Sequence, residues 1–431
     1  MPALRCERKV LPTDNVSQLN DRSACCGLVS LPAAIWGTIL FTGLMLAAAS
    51  MARAEPFVPK NDAQVLERLP YTLGDPAVRE LRARRNALAR NPRNTALAAQ
   101  TAERYIRMAR AEGDPRYFGY AQAALEPWWH AADPPAQIMV LRAGIKQASH
   151  NFAGALNDLD QLLRENPDDL TATVTRAIIL QVRGRYEEAR RDCAMLVNAA
   201  QRAPSLQLTA LTCVASVASL NGQAAPSYQL LERTLDFAIS SRPDDRQWAV
   251  TTLADIATRL GFTRAAERYY RAALAAGKSV WLQAAYADFL LDQNRPREVI
   301  ELLADDTRVD TLLLLLALAE QKIGALRLDK HVNMLRERFA AARLRNDQRH
   351  LREEARFTLH LLHEPQEALR LARANWRVQR EPEDARILLQ AALAAGEPKA
   401  AKPVVEFLQR SRLEDVRLEY LRRQLGAPAD S

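Results

Sequence analysis

Apolar and small residues recur along most of this chain at the three- and four-residue spacing of a helix, and the helical stretches come in pairs. A small residue is followed twelve positions later by another compact one. Larger core-type residues then follow at four and three positions further on. Ala143, Ala155, Leu159 and Leu162 obey this rule, as do Ala177, Ala189, Cys193 and Leu196. Ala215, Ser227, Leu231 and Thr234 repeat it, then Ala254, Ala266, Tyr270 and Ala273. Ala287, Val299, Leu303 and Asp306 do so more loosely. Seven residues after each leading alanine stands a turn-compatible residue: His150, Gly184, Gly222, Gly261 and Asn294, with Ala317 and Gly324 extending the series. Glycine and asparagine accept the left-handed conformation that ends a helix. The pattern therefore predicts helical hairpins whose partners approach closely across small residues. Asn166-Pro167 closes one such unit, because proline cannot continue a helix.

This unit resembles the tetratricopeptide repeat. The best match is residues 170–197, LTATVTRAIILQVRGRYEEARRDCAMLV, and residues 136–169 match nearly as well. The leading alanines step by 34, 38, 39, 33 and 30 residues, drifting about the family's period of roughly 34. The resemblance implies an all-α fold, a right-handed superhelical solenoid of antiparallel helix pairs. It covers residues 136–325 best. Residues 55–94 are expected as an N-terminal helical cap and 95–135 as a degenerate first repeat. Residues 326–431 are expected as degenerate C-terminal repeats with a capping helix, on the pattern Ala355/Ala368/Ala372 and Leu388/Ala392/Ala395.

One segment breaks the helical-pair pattern. Residues 27–49 contain no charge, Arg5, Arg8, Lys9 and Arg22 precede them, and Ala52-Arg53-Ala54 follows. Positive flank, apolar run and A-x-A site are the parts of a secretory signal. Residues 1–54 are accordingly read as a signal peptide cleaved between Ala54 and Glu55, with the body in the periplasm or secreted. The alternative is an uncleaved anchor helix in the inner membrane with the body facing the periplasm, since the run is long enough to span a bilayer. Membrane contact is then expected only through residues 27–49. The leucine run at 312–316 is too short to span.

Composition changes this picture little. Aromatic residues are 6% and glycines number 15, which suits helices better than sheets. The formal charge is +8, carried mainly by arginine. The arginines of residues 336–356 are broken by Glu337, Asp347, Glu353 and Glu354, the pattern of a solvated helix face. Those of residues 79–93 are more one-signed and would suit an acidic partner or anionic lipid. Nucleic acid is not expected, because stacking aromatics do not interleave with the charge and an exported chain does not meet it.

Phosphate-cradling, dinucleotide, nucleophile-elbow and zinc-protease motifs are absent from the sequence. The expectation is a protein that is not an enzyme and holds no cofactor or metal. His360 and His363, beside Glu364, are the residues of a metal-binding or enzymatic alternative, although two ligands do not close a site and His363-Glu364-Pro365 also reads as a helix end. Cys193 and Cys213 fall on helices expected to pack together. Buried free thiols are the expected state, with a disulfide as the alternative in an oxidising compartment.

The resemblance implies a protein or peptide partner on a concave face lined by first helices. The groove stripe is read as Thr171, Val174 and Ile178, Thr212 and Ser216, Trp248, Thr251 and Asp255, and Trp281, Ala284 and Asp288. The lysine and asparagine with which some family members clamp a C-terminal carboxylate are missing from it. The expected function is an exported, non-catalytic scaffold that binds a partner in this groove and assists assembly or regulation of an envelope complex. A membrane-anchored adaptor is the alternative.

Overall fold

The computed structural model describes residues 75–426 except 239, 240 and 348, together with Asn61. The chain divides into two units, residues 1–70 and 71–431, and all the described helices belong to the second. The expected signal segment 1–54 and its cleavage point at Ala54–Glu55 lie outside the described residues. So does most of the first part of the expected cap.

Regular structure among the described residues is entirely helical. The N-terminal end consists of α1 (Pro76–Arg90), α2 (Thr95–Glu112), α3 (Arg116–Ala124) and the single turn α4 (Glu126–Trp129). Next come the hairpins α5 (Ala136–Ala148) with α6 (Phe152–Glu165) and α7 (Leu170–Val182) with α8 (Tyr186–Arg202). They continue with α9 (Gln207–Ser219) and α10 (Ala224–Phe237), then α11 (Pro243–Arg259) and α12 (Thr263–Ala276). The pairs α13 (Val280–Asp292) with α14 (Pro296–Leu303) and α15 (Asp310–Ile323) with α16 (Leu328–Leu344) follow. The C-terminal part holds α17 (Leu351–His360), α18 (Pro365–Val378), α19 (Pro382–Ala394), α20 (Lys402–Ser411) and α21 (Val416–Gln424).

The sequence rule has a direct physical counterpart. Ala143, Ala155, Ala177, Ala189, Ala215, Ala254, Ala266, Ala287 and Ala317 are all buried, so the paired helices meet across methyl groups. Larger residues at the later positions, among them Leu159, Leu162, Leu231 and Tyr270, fill the space beside each seam. Thr234 and Asp306, the loosest members of the pattern, are only half-buried. His150, Gly184, Gly222, Gly261, Asn294 and Gly324 all have positive φ, between 54° and 76°. They are the hairpin turns. Asn151, Asp169 and Ser279 cap the helices that follow them by accepting backbone N–H bonds. Pro243, Pro296, Pro365 and Pro382 stand at helix starts, where a missing N–H costs nothing.

Leu312 to Leu316 are buried without exception, although they point all round α15. A helix that is apolar on every side must be enclosed by others. The apolar side chains form three cores, all drawn from Leu81 onward. A chain beginning at Glu55 therefore carries every core residue found among the described residues.

The cysteines depart from expectation. Cys193 on α8 and Cys213 on α9 form a disulfide, with Cα atoms 5.5 Å apart. The seam between consecutive hairpins brings the second helix of one against the first helix of the next, at a separation within the bonded range of about 4.4–6.8 Å. Both residues are buried. The bond closes a loop of sequence separation 20, which restricts the unfolded chain by about 3 kcal/mol on a chain-entropy account. Alkylation of the unreduced, denatured chain should leave Cys193 and Cys213 unmodified. The double variant Cys193→Ala/Cys213→Ala should lose about 3 kcal/mol in denaturant unfolding.

Candidate functional site

The hairpin turns lie in a row, and the C-terminal helices run along it. Beside His150 are the charges of Glu353, Arg352 and His350 at the start of α17. A Cβ added to Gly184 would lie 2.8 Å from the Phe407 ring of α20, and one added to Gly222 would lie 3.0 Å from Arg412. Val416 of α21 stands over Gly261. Backbone and side-chain bonds fix the contact. The Arg380 N–H donates to the Val182 carbonyl at 2.8 Å, Arg183 donates to the Val378 carbonyl, and the Ala224 N–H donates to Glu414 at 2.7 Å. The first core accordingly contains residues from Met139 to Leu220 together with residues from Ala355 to Leu421. On the other edge of the array, the turn at Gly113 after α2 abuts Val280 and Val309, at the starts of α13 and α15.

This return of the chain divides the expected groove stripe. Thr171 and Trp281 are exposed, and Trp281 keeps 62% of its surface. Trp248, at the equivalent position one repeat earlier, is half-buried against the first core, and Val174 packs there too. Ile178 is half-buried, and Ala284 packs against the second core. The remaining members were expected to face a partner, and the structure corrects several of them. Thr212 and Thr251 are buried, their hydroxyls donating to the carbonyls of Leu208 and Gln247 one turn back. Ser216 donates to Gln181 of the preceding repeat at 2.8 Å. Asp255 keeps a half-exposed carboxylate, which accepts from the buried Arg259 at 3.2 Å. On this stripe the exposed members, Thr171 and Trp281, stand near the beginnings of their helices, and the members toward the ends are buried, half-buried or bonded within the chain.

Asp288 departs furthest from expectation. It is buried and paired with Arg356 and with Arg386, which also meets Asp292. Arg417 approaches Asp292 at 3.4 Å and Glu383 at 2.9 Å. Burial disfavours charge on Asp288, but the guanidiniums of Arg356 and Arg386 outweigh it and hold its carboxyl below the ordinary carboxylate range. Arginine is suited to this task because its fork engages two carboxylates without losing its charge. A partner cannot use a carboxylate that is already consumed in this way.

His360 and His363 do not assemble a metal site. The His360 ring bonds Gln390, whereas His363 occupies the turn between α17 and α18 at φ 58°. Among the described residues no group of three or more His, Cys, Asp or Glu side chains is arranged to hold an ion. No described helix is long and apolar enough to cross a membrane. Trp128 and Trp129 half-pack against the third core, and their carbonyls accept from Arg142, whose guanidinium also grips the buried Asp158.

One concavity escaped the sequence reading. A cavity of about 380 Å³ opens between α1, α2 and α3, lined by Arg85, Leu88, Tyr105, Tyr120, Glu126 and neighbouring small residues. Tyr105, Tyr117 and Tyr120 cluster there with ring centroids 5.4–6.2 Å apart. Burial raises the Tyr105 phenol, which nevertheless bonds Arg85. No spacing in the sequence announces this site, because α3 follows α2 out of the repeat register.

Buried alanine seams joined by a row of left-handed turns decide the architecture. The fold is tetratricopeptide-like. Among solved structures the chain is similar to a tetratricopeptide repeat protein from Parabacteroides merdae, with 15% identity and a TM-score of 0.42, over 56% of this chain and 92% of that one. It is similar to the hetero-tetramer Cut9–Hcn1 of the APC/C at 11% identity and a TM-score of 0.46, over 77% and 63% of the two chains. It also resembles a Rap protein complexed with competence and sporulation factor, at 11% identity and a TM-score of 0.44, over 81% and 94%. What those proteins bind is a property of those proteins. No family model matches the sequence, and no curated protein matches it.

Two measurements probe the closed tetratricopeptide-like array. Gly184→Ala and Gly324→Ala share the left-handed strain, of about 1–2 kcal/mol, but only the first meets a packed ring, since nothing lies within 4 Å of a Cβ at Gly324. Gly184→Ala should therefore be less stable by a further 1–3 kcal/mol, roughly the cost of overpacking. Equal losses in urea unfolding would mean that the C-terminal helices do not rest on that turn. The second test is pH. Burial lowers both His150 and His360 to about 4, so their neutral forms stabilise the fold above the unfolded value of about 6.5, and this contribution is lost as pH falls from there towards 4. Burial raises Asp384 to about 6, which works in the opposite direction over the same window. His150→Asn/His360→Gln should remove the histidine part alone, leaving a shallower fall in Tm between pH 6.5 and 4.5 than in the unaltered chain.

Proposed function

We propose that this chain is an exported, non-catalytic scaffold that binds a protein or peptide partner at the open beginnings of its first helices. The observation that carries this reading is Trp281, a tryptophan left 62% exposed on an ordered helix. Trp248 lies at the matching position of the preceding repeat. Tryptophan supplies much apolar area at little entropic cost, and residues of this kind anchor interfaces. The covered half of the stripe is occupied by the chain's own C-terminal helices, so the proposed partner lies along the starts of α7, α11 and α13. Export to the periplasm or beyond is supported by the charge-free run at 27–49 and by the Cys193–Cys213 bond, since such bonds persist in oxidising compartments. The proposal extends to a role in assembling or regulating an envelope complex, whose components a scaffold in that compartment would meet.

The test is affinity capture from envelope extracts with a chain beginning at Glu55, beside Trp248→Ala/Trp281→Ala. The variant should lose a partner that the unaltered chain retains, typically by more than 2 kcal/mol for an aromatic anchor, while far-UV circular dichroism is unchanged. Retention of every captured protein by the variant would sink this reading. Loss of helicity would assign the pair to packing.

A further inference from the structure

Helix α1 carries a second surface. Its sequence, with the residues just after it, places six arginines and one glutamate between residues 79 and 93. Leu81 is buried and Leu88 packs against the third core, which fixes the inward side of the helix. At about 100° per residue, Arg79, Arg82 and Arg90 then fall on the opposite, outward side. All three are exposed, as are Arg85 and Arg93. Elsewhere in the described chain most arginines meet carboxylates, and Arg84 of this same helix bonds Glu80 at 2.8 Å. No carboxylate of the described residues lies within ion-pair distance of Arg79, Arg82, Arg85, Arg90 or Arg93. The outward face of α1 and the turn after it are therefore single-signed over several neighbouring exposed arginines.

We infer that this arginine face of α1 docks on an anionic phospholipid bilayer, its guanidiniums meeting the phosphate headgroups. Charge complementarity is the first support, because each arginine near an anionic lipid surface contributes about 1 kcal/mol. The neighbouring cavity is the second: tyrosine and alanine surface lies there beside Arg85, and because Glu126 also lines the cleft the phosphate contacts fall to the outward arginines of α1. The third is continuity along the chain. The face begins thirty residues after the charge-free run 27–49, so under the export proposed above α1 follows a membrane-directed segment closely in the sequence. Arginine is also the cation suited to the task, since its planar fork pairs with two phosphate oxygens.

The experiment uses a chain beginning at Glu55, which lacks the apolar run but holds the three described cores. It is sedimented with phosphatidylcholine vesicles and with vesicles containing one quarter phosphatidylglycerol, at low and high salt. Binding should require phosphatidylglycerol and weaken steeply with salt. Arg79→Ala/Arg82→Ala/Arg90→Ala should bind on the order of 100-fold more weakly, the equivalent of three such contacts. Alanine at exposed helical positions preserves the helix, which circular dichroism checks directly. Equal binding to both vesicle types, or binding by the triple variant at the original strength, would overturn the inference. So would retention of the chain on polyglutamate without any binding to vesicles, which would assign the face to an acidic protein.

Discussion

The carboxylates of Asp288 and Asp292 hold this molecule in its closed form. They sit near the end of a first helix midway along the repeats, and Arg356, Arg386 and Arg417 reach them from three different C-terminal helices. A buried carboxylate is tolerable only when its charge is matched, and here each supplies what the guanidiniums also need. Such a cluster adds less to stability than to selection of one arrangement, because breaking it strands an uncompensated charge. The covering of the end of α13 by the C-terminal helices goes with the position it marks.

The repeats could be read in the sequence because their signal is local. Twelve residues separate Ala177 from Ala189 because one turn and two half-helices fix that distance, and seven separate Ala177 from Gly184 because the first helix must end there. Nothing comparable announces that Phe407 rests on Gly184 or that Arg417 approaches Asp292. Those contacts join residues more than a hundred positions apart, and their partners are ordinary helix residues when viewed alone. The groove stripe suffered for the same reason. Thr212, Thr251 and Asp288 were assigned by helical phase within one hairpin, which cannot report what another part of the chain lays across it. Helical phase does place Trp281 on the side that stays open. The pairing of Cys193 with Cys213 falls between the two cases: their helices were expected to touch, but the approach of their side chains needed coordinates.

Two kinds of exposed surface remain after the closure. One is apolar and sits at the starts of the central first helices. The other is cationic and sits on α1, outside the repeat register. They differ in the forces they can exert. A tryptophan-centred contact acts at short range and discriminates by shape, whereas an arginine face acts over a Debye length and discriminates mainly by sign.

The first core has a consequence for the life of the chain before it is folded. Met139, Phe152 and Ile179 share that core with Trp376, Phe407 and Leu421, so the early repeats are completed by helices synthesised about two hundred residues later. An open solenoid can settle hairpin by hairpin as each emerges, since every repeat needs only its neighbour. This one leaves apolar surface on its first repeats unfinished until the helices from Leu351 onward have emerged. Under the export proposed above, such a delay would keep the chain unfolded for passage through a translocation pore, with an apolar surface that a chaperone can hold.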